Sequence, residues 1–245
     1  MRTTRLFVEA PLRPDCEVEL PAGAAAHAVR VLRLRPGDPL TLFNGDGREY
    51  AARLITAATR GASVAIDSIA ATDRESPLQI TLVQAIARGE KMDWIIQKGT
   101  ELGVARIVPV STARSEVRLD AARADKRREH WRAVAIAACE QCGRNIVPAL
   151  DAPVELAAWL AEAAARNQGS RWMLSPGAGA RPRDLRPGSR TLALAVGPEG
   201  GFDESDSSTL FDHGFRGLAL GPRILRTETA GIAALAALQA LYGDL

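Results

Sequence analysis

Short apolar runs broken by turn signals occupy the first 72 residues of the chain. Alternation of apolar and polar positions over four to six residues is typical of half-buried strands. It predicts strands at 6–8, 40–43, 50–55 and 62–66. Residues 44–47, Asn-Gly-Asp-Gly, favour a hairpin turn because these residue types tolerate positive φ. With one helical segment at 27–34, we predict a small, mostly β, barrel-like domain over residues 1–72.

The pattern changes after the polar segment 72–77, which ends in a proline and is the predicted linker. A continuous apolar run at 78–86 is typical of a strand buried on both faces. A helical pattern at 90–102 and a second apolar run at 107–110 follow, and strand, helix, strand indicates a parallel crossover. The alternation continues with helices at 122–142, 154–166, 204–213 and 227–242, and strands at 171–174, 191–196 and 217–220. Residues 73–245 are therefore predicted to form an α/β domain of about six strands.

Composition narrows the class of protein. The 245 residues are 47% hydrophobic and 24% charged, which is typical of a folded globular chain. Lysine and arginine number 31 against 29 acidic residues, so the net charge of +2 does not by itself indicate a nucleic-acid partner. No apolar stretch approaches the roughly 18 residues that a membrane span requires, and no signal sequence is evident. We expect a cytoplasmic protein without a membrane partner.

The cysteine pattern is weak evidence for a metal or redox site. Cys139 and Cys142 form one Cys-x-x-Cys pair, and the chain holds only one further cysteine and three histidines. A structural, redox-inert pair on a helix is favoured over a metal-binding or thioredoxin-like site. We therefore predict no metal.

Two loops near the carboxyl end of the chain are the candidate sites for chemistry, because ligands of open α/β sheets bind where strands end. The first is residues 197–202, Gly-Pro-Glu-Gly-Gly-Phe, directly after an apolar run. Its glycines suit a sharp turn or a close approach of ligand to backbone, and Asp203 is placed to cap the next helix. The pattern is neither Gly-x-Gly-x-x-Gly nor a P-loop, so a simple tight turn between core elements remains an alternative.

The second loop is residues 220–230, Leu-Gly-Pro-Arg-Ile-Leu-Arg-Thr-Glu-Thr-Ala. Thr227 is a predicted helix cap, and Glu228 is favoured at a helix amino terminus by the helix dipole. Arg223 and Arg226 are not explained in this way, because cations are disfavoured at that end of a helix. They indicate an anion nearby.

These two motifs together resemble the bacterial 16S ribosomal RNA (uracil-N3) methyltransferases, which belong to the SPOUT class of knotted methyltransferases. Weaker similarities run through the chain at 27–38, 91–103 and 140–148. The sequence departs from the family pattern at Ala113, where a glutamate is expected before Arg-Ser, and at 205–206, where glutamates are more usual. The first departure bears on an RNA or dimer contact, and the second on helix capping.

The resemblance implies a trefoil-knotted carboxyl-terminal domain, a PUA-like RNA-binding amino-terminal domain and a homodimer. It also implies S-adenosylmethionine (SAM) as cofactor and 16S ribosomal RNA within the small subunit as partner. The cofactor-binding residues implied are Leu174, Gly197, Glu199, Gly200, Leu220, Gly221, Ile224 and Leu225. Ordinary core packing remains the alternative for the leucines.

Catalytic roles follow from the same resemblance. Arg226 would stabilise negative charge on the uracil, and Glu228 would act as base, hold Arg226 or cap the helix. Arg144 would come from the partner subunit or lie solvated at a helix end. The RNA-binding candidates are Arg30, Arg33, Arg35, Arg114 and Arg118. Residues 126–128, Lys-Arg-Arg, are predicted to be a solvated helix face.

Two other functions remain as alternatives. One is a non-enzymatic RNA-binding or ribosome-assembly factor with a degenerate methyltransferase domain. The other is a nucleotide-dependent enzyme that uses residues 197–201 as a phosphate loop, which the missing Lys-Ser/Thr disfavours.

Overall fold

The computed structural model describes residues 4–58, 61–115, 121–164, 169–185 and 189–245. Contacts divide the chain into two compact units. The first comprises Met1–Glu75 and Ile136–Val147, and the second comprises Ser76–Ala135 and Pro148–Leu245.

The first unit contains β1 (Thr4–Phe7), β2 (Glu17–Glu19), α1 (Ala22–Ala26), β3 (Pro39–Phe43), β4 (Glu49–Ala58) and β5 (Gly61–Ala70). Its described strands form a five-stranded sheet in the order β1-β3-β4-β5-β2. The pair β1 and β3 is parallel, and the other pairs are antiparallel. A helical segment separates β2 from β3, as α1 followed by a π-helical turn at His27–Val31.

The predicted hairpin between β3 and β4 is confirmed. Gly45 and Gly47 have φ of 93° and 86°, which side-chain-bearing residues rarely adopt. Asn44 Oδ1 accepts from the Asp46 amide at 3.2 Å, and Asp46 Oδ1 accepts from the Arg48 amide at 2.9 Å. The sheet buries one continuous apolar cluster, which includes Leu6, Leu42, Tyr50, Leu54, Val64 and Ile66.

A distant segment completes this first unit, which the sequence pattern did not predict. Glu140 Oε1 accepts from the Phe7 amide at 3.0 Å, and Arg5 donates to Asn145 Oδ1 at 2.6 Å. Arg144 donates to Glu75 through Nε and Nη2, at 2.9 and 2.6 Å. Residues 136–147 therefore contact the amino-terminal sheet, although they follow the helix pattern of the α/β region.

The second unit is an α/β structure, as predicted. It contains β6 (Gln79–Ala85), α2 (Lys91–Glu101), β7 (Arg106–Ser111), α3 (Ala121–Cys142), β8 (Ala149–Leu150), β9 (Val154–Glu155), α4 (Leu156–Ala164), β10 (Ser170–Leu174), β11 (Thr191–Val196), α5 (Glu204–Asp212), β12 (Arg216–Leu218) and α6 (Thr227–Tyr242). The seven described strands are all parallel, in the order β12-β10-β11-β6-β7-β8, with β9 also pairing with β7. A short 3-10 turn lies at Pro182–Asp184.

Continuous burial of the central strands accounts for their unbroken apolar sequences. In β11 the five residues Leu192–Val196 are all buried, and β6 and β7 each bury four consecutive residues. Because all the strands are parallel, their carboxyl ends meet at one edge of the sheet. The loops after β10, β11 and β12 are therefore placed side by side. The loops after β11 and β12 hold the two predicted motifs.

Cys139 and Cys142 lie in the last turn of α3. Burial raises the pKa of the Cys139 thiol to about 12, so this group stays protonated and unreactive near neutral pH. Side chains of His, Cys, Asp and Glu in the described ranges form no group of three that could hold a metal ion. Among the described helices, none is both long enough and apolar enough to span a membrane.

Candidate functional site

A cavity of about 210 Å³ opens at the carboxyl ends of β10, β11 and β12. Its floor and walls are mostly apolar side chains and backbone from the two predicted loops. The lining residues are 173–176, 196–199, 201–202, 207, 218–221, 223–225, 227 and 230. Seven of the eight predicted cofactor-binding residues are among them: Leu174, Gly197, Glu199, Leu220, Gly221, Ile224 and Leu225.

The glycine loop after β11 is shaped by close backbone contacts. A Cβ on Gly197 would lie 2.9 Å from the Phe202 amide nitrogen and 3.2 Å from the Gly201 carbonyl carbon, so the chain folds back on itself there. Gly201 has a φ of 70°, and its amide donates to the Pro198 carbonyl at 2.9 Å. Asp203 caps α5 as predicted, since its Oδ1 accepts from the Asp206 amide at 2.7 Å. The loop therefore turns tightly without filling the cavity.

Gly200 is the predicted cofactor-binding residue that does not line the cavity. A Cβ there would meet the Arg114 side chain at 3.5 Å. Arg114 also donates from Nη1 to the Gly200 carbonyl oxygen at 2.8 Å. Gly201, which the sequence did not single out, lines the cavity instead.

A lysine from α2 bridges two carboxylates at the cavity. Lys91 Nζ donates to Glu199 Oε1 at 2.9 Å and lies 3.5 Å from Glu228 Oε2. Burial raises the pKa of the Glu199 carboxyl, but the hydrogen bond and charge of Lys91 together with backbone hydrogen bonds outweigh this effect, so the pKa lies below its ordinary value. The same hydrogen bond raises the pKa of Lys91. Glu199 therefore presents an ionised carboxylate on the cavity wall.

The predicted capping role of Thr227 is wrong. Arg226 occupies the N-cap position of α6, and no side-chain hydrogen bond caps the helix there. The Thr227 hydroxyl instead donates to the Gly197 carbonyl oxygen at 2.6 Å and accepts from Gln84 Nε2 at 3.0 Å. Because the Thr227 hydroxyl makes these two hydrogen bonds, it is not available to cap α6.

The two arginines of the second loop are exposed. Arg223 lines the cavity, and Arg226 follows directly after the lining residue Leu225. Ile224 between them is 84% exposed, which is unusual for a large apolar side chain. Glu228, in the first turn of α6, is paired with Lys91 and makes no described hydrogen bond to Arg226.

Arg144 is not a solvated residue at a helix end. It is only 5% exposed, and its guanidinium is ion-paired with Glu75 inside the first unit. This buried pair supports the segment that follows α3.

The predicted RNA-binding arginines of the first unit, Arg30, Arg33 and Arg35, are all exposed, as are their neighbours Val31 and Leu32. Arg114 is exposed and contacts the glycine loop. Arg118 lies outside the described residues. In α3, residues 126–128 are exposed, which agrees with the predicted solvated helix face.

Lys91 and Gln84 are the site residues that the sequence did not single out for chemistry. Lys91 pairs with a residue 108 positions away, and Gln84 with one 143 positions away. Gln84 could have been recognised from the sequence because it is a polar residue inside the apolar run of β6. For Lys91, the signal was its place at the start of the helix that follows that strand.

Family models match both parts of the chain. One described as an RNA methyltransferase domain matches residues 74–239, and one described as an RNA methyltransferase PUA domain matches residues 20–67. The parallel sheet with its cavity between two glycine-containing loops is thus that of an RNA methyltransferase.

Relatives define the family more closely. Ribosomal RNA small subunit methyltransferase E of Buchnera aphidicola is 32% identical over 100% of this chain and 98% of its own, and that of Bacillus subtilis is 34% identical over 89% of each. The crystal structure of the Neisseria gonorrhoeae enzyme of this name, bound to SAM, is 40% identical with a TM-score of 0.94 over 99% of each chain. A Legionella pneumophila protein solved with bound SAM is 42% identical with a TM-score of 0.96 over 100% of each. The chain belongs to the ribosomal RNA small subunit methyltransferase E family.

Proposed function

We propose that this protein transfers a methyl group from SAM to N3 of a uridine in the 16S ribosomal RNA of the small subunit. The main observation behind this proposal is the cavity: residues of both family motifs line it, and the ionised Glu199 carboxylate lies on its wall. Family membership supports methyl transfer to ribosomal RNA as the reaction. The sequence resemblance supports N3 of uracil as the atom that is methylated.

The residues of the cavity fit SAM. Leu174, Leu220 and Leu225 offer apolar contacts for an adenine ring, and the glycine loop offers backbone groups without side chains in the way. The Glu199 carboxylate suits a ligand that carries positive charge, as the sulfonium cofactor does. When bound there, SAM supplies a methyl group bonded to a good leaving group.

Methylation at uracil N3 requires the N3 proton to leave and the resulting negative charge to be stabilised. Arg226, exposed beside the cavity at the amino terminus of α6, places a cation and the positive end of a helix dipole together. We assign it to the uracil carbonyl oxygens. Glu228, paired with Lys91, is the carboxylate assigned to accept the proton.

The test is methylation of purified small ribosomal subunits that lack the modification. Incubation with the protein and methyl-labelled SAM, followed by nuclease mapping and mass spectrometry, is expected to show 3-methyluridine at one position of the 16S RNA. A parallel reaction with protein-free 16S RNA identifies the preferred form of the substrate. Label on another base, or no transfer to either substrate, would contradict the proposal.

The first unit is proposed to bind the RNA through the exposed arginines of residues 30–35. These side chains are close together in sequence and flank two exposed apolar residues. A cation that neutralises an RNA phosphate releases a bound counterion, so each such cation makes binding more sensitive to salt.

Replacing Arg30, Arg33 and Arg35 together by Ala is expected to weaken binding to small subunits. The slope of log K against log salt should become shallower by roughly 2 to 3. Fluorescence anisotropy at several salt concentrations measures this slope. Arg53→Ala, an exposed arginine of the same unit that pairs with Asp67, is the control and should leave the slope unchanged. An unchanged slope in the triple variant would remove this surface from RNA binding.

The finer architecture is also proposed from the family resemblance. We infer a trefoil knot formed by the two loops around the cavity, a PUA-like barrel for the first sheet, a cytoplasmic location and a homodimer. The apolar composition of α6 supports the dimer, since Leu241 remains 47% exposed.

Light scattering is expected to give about twice 26.1 kDa. Exposed apolar side chains on α6 would then be covered by the second copy. A monomeric mass at micromolar concentration would contradict the dimer.

A further inference from the structure

Gln84 is a fully buried polar residue in the strand β6, one position before the end of that strand. Its neighbours Val83 and Ala85 are also fully buried, within an otherwise apolar sheet. The amide nitrogen Nε2 donates to the Ala85 carbonyl and to Thr227 Oγ1, each at 3.0 Å. Gln84 therefore connects the central strand to the first residue of α6.

The direction of these hydrogen bonds is fixed by their partners. The single hydroxyl proton of Thr227 goes to the Gly197 carbonyl oxygen at 2.6 Å, so Thr227 Oγ1 must accept from its other neighbour. The Ala85 carbonyl likewise requires a donor, which excludes the flipped amide. The result is a directed chain of hydrogen bonds from Gln84 through Thr227 to Gly197. Thr227 and Gly197 both line the cavity, whereas Gln84 lies behind it.

The oxygen of the Gln84 amide indicates that this residue does not serve mainly to stabilise the fold. Its Oε1 is buried and finds no hydrogen-bond partner among the described residues. A Cβ on Gly231 would approach this oxygen to 3.3 Å, so α6 has a glycine where the amide faces it. An unpaired buried oxygen lowers stability, and an apolar side chain of the same size would avoid that penalty.

We propose that Gln84 is a positioning residue for cofactor binding, acting by orienting the Thr227 hydroxyl so that it holds the Gly197 carbonyl and thereby the glycine wall of the cavity. This inference rests on the proposed function, because the ligand of the cavity is taken to be SAM. The residue acts on the shape of the cavity before any chemistry occurs. It should therefore affect binding of the cofactor and not the rate of methyl transfer once the cofactor is bound.

The decisive variant is Gln84→Met, which keeps the length of the side chain and removes both polar atoms. The dissociation constant for SAM, measured by calorimetry, is expected to rise about tenfold, which corresponds to about 1.4 kcal/mol. S-adenosylhomocysteine should lose affinity by the same factor, because the cavity wall does not sense the transferred methyl group. The KM for SAM should rise in parallel, with kcat at saturating SAM within about twofold of the unaltered protein. The melting temperature is expected to change little, since removal of the unpaired oxygen offsets the loss of the two hydrogen bonds that Nε2 donates.

Two threonine variants and one control complete the test. Thr227→Val removes the hydroxyl and should weaken SAM binding as Gln84→Met does, whereas Thr227→Ser keeps it and should bind normally. Thr100→Val is the matched control, because Thr100 is a fully buried threonine whose hydroxyl donates to the Ile96 carbonyl at 2.7 Å, away from the cavity. It should leave SAM affinity unchanged.

Unchanged SAM affinity in both Gln84→Met and Thr227→Val would overturn this inference while leaving the proposed function intact. A fall in kcat with the KM for SAM unchanged would also overturn it, because that pattern belongs to an interaction made only in the transition state. If the unaltered protein binds no SAM, the proposed function itself fails, and this inference fails with it.

Discussion

Arg226→Ala is expected to lower the rate of methyl transfer by roughly 10²-fold or more, the scale seen when one preorganised charge-stabilising donor is removed. Arg226 is exposed at the N-cap of α6, where the helix dipole disfavours a cation unless an anion approaches. No described side chain supplies that anion, since Glu228 is paired with Lys91 instead. The proposed function assigns that anion to the negative charge that develops on the uracil. Single-turnover methylation of small subunits at saturating SAM measures the effect.

Cofactor affinity separates this role from a structural one. Because Arg226 does not line the cavity, the dissociation constant for SAM should change less than about threefold, an affinity change of well under one kcal/mol. Arg216→Ala, an exposed arginine at the start of β12, is the control and should methylate at the normal rate. A near-normal rate for Arg226→Ala would remove Arg226 from the mechanism. Equal reductions in rate and in SAM affinity would make it a support of the loop.

The longer strands and the edge of the sheet that holds the cavity could be predicted from sequence because their signals are local, whereas β2, β8 and β9, of two or three residues each, were not predicted. A run such as Leu192–Val196 is apolar at every position only when both faces of a strand are buried, and parallel strands end at a common edge. The loops after β11 and β12 therefore had to be neighbours. The individual cofactor-binding residues were implied by the family resemblance, and seven of those eight line this cavity.

The contacts that the sequence did not reveal are those between distant residues. The helix pattern of α3 continues through Ile136–Cys142, yet these residues belong to the first unit through contacts such as the Phe7 amide with Glu140. Periodicity reports which face of a helix is buried and says nothing about which element buries it.

Local rules also failed where a tertiary partner competed. Thr227 has the residue type of a helix cap, but it lies one position after the N-cap residue Arg226, and its hydroxyl donates to the Gly197 carbonyl and accepts from Gln84. A tertiary contact also explains why Gly201 lines the cavity and the predicted Gly200 does not. The turn closed by the hydrogen bond from Gly201 to Pro198 directs Gly200 toward Arg114. Which glycine faces the ligand is decided by that turn and not by the composition of the motif.

Gly197→Ala is expected to weaken SAM binding strongly, because the added Cβ would lie 2.9 Å from the Phe202 amide nitrogen and within 3.3 Å of Gly201 Cα. Both neighbours are backbone atoms and cannot rotate aside, so the whole glycine loop must shift. Forcing a methyl group into closely packed structure costs about 1–3 kcal/mol, or roughly 5- to 150-fold in affinity if the displaced loop must return to bind the cofactor. Calorimetric titration with SAM measures the change in affinity, and circular dichroism checks that the variant is folded.

Gly200→Ala is the matched control, three residues along the same loop. Its Cβ would meet only the Arg114 side chain, at an ordinary 3.5 Å, and that flexible chain can move. SAM affinity should therefore stay within about twofold of the unaltered protein, since no backbone contact of the cavity wall changes. Failure of Gly200→Ala to bind SAM, with normal binding in Gly197→Ala, would mean that the cofactor contacts the outer side of the loop. The cavity bounded by Gly197, Gly201 and Gly221 would then not be its site.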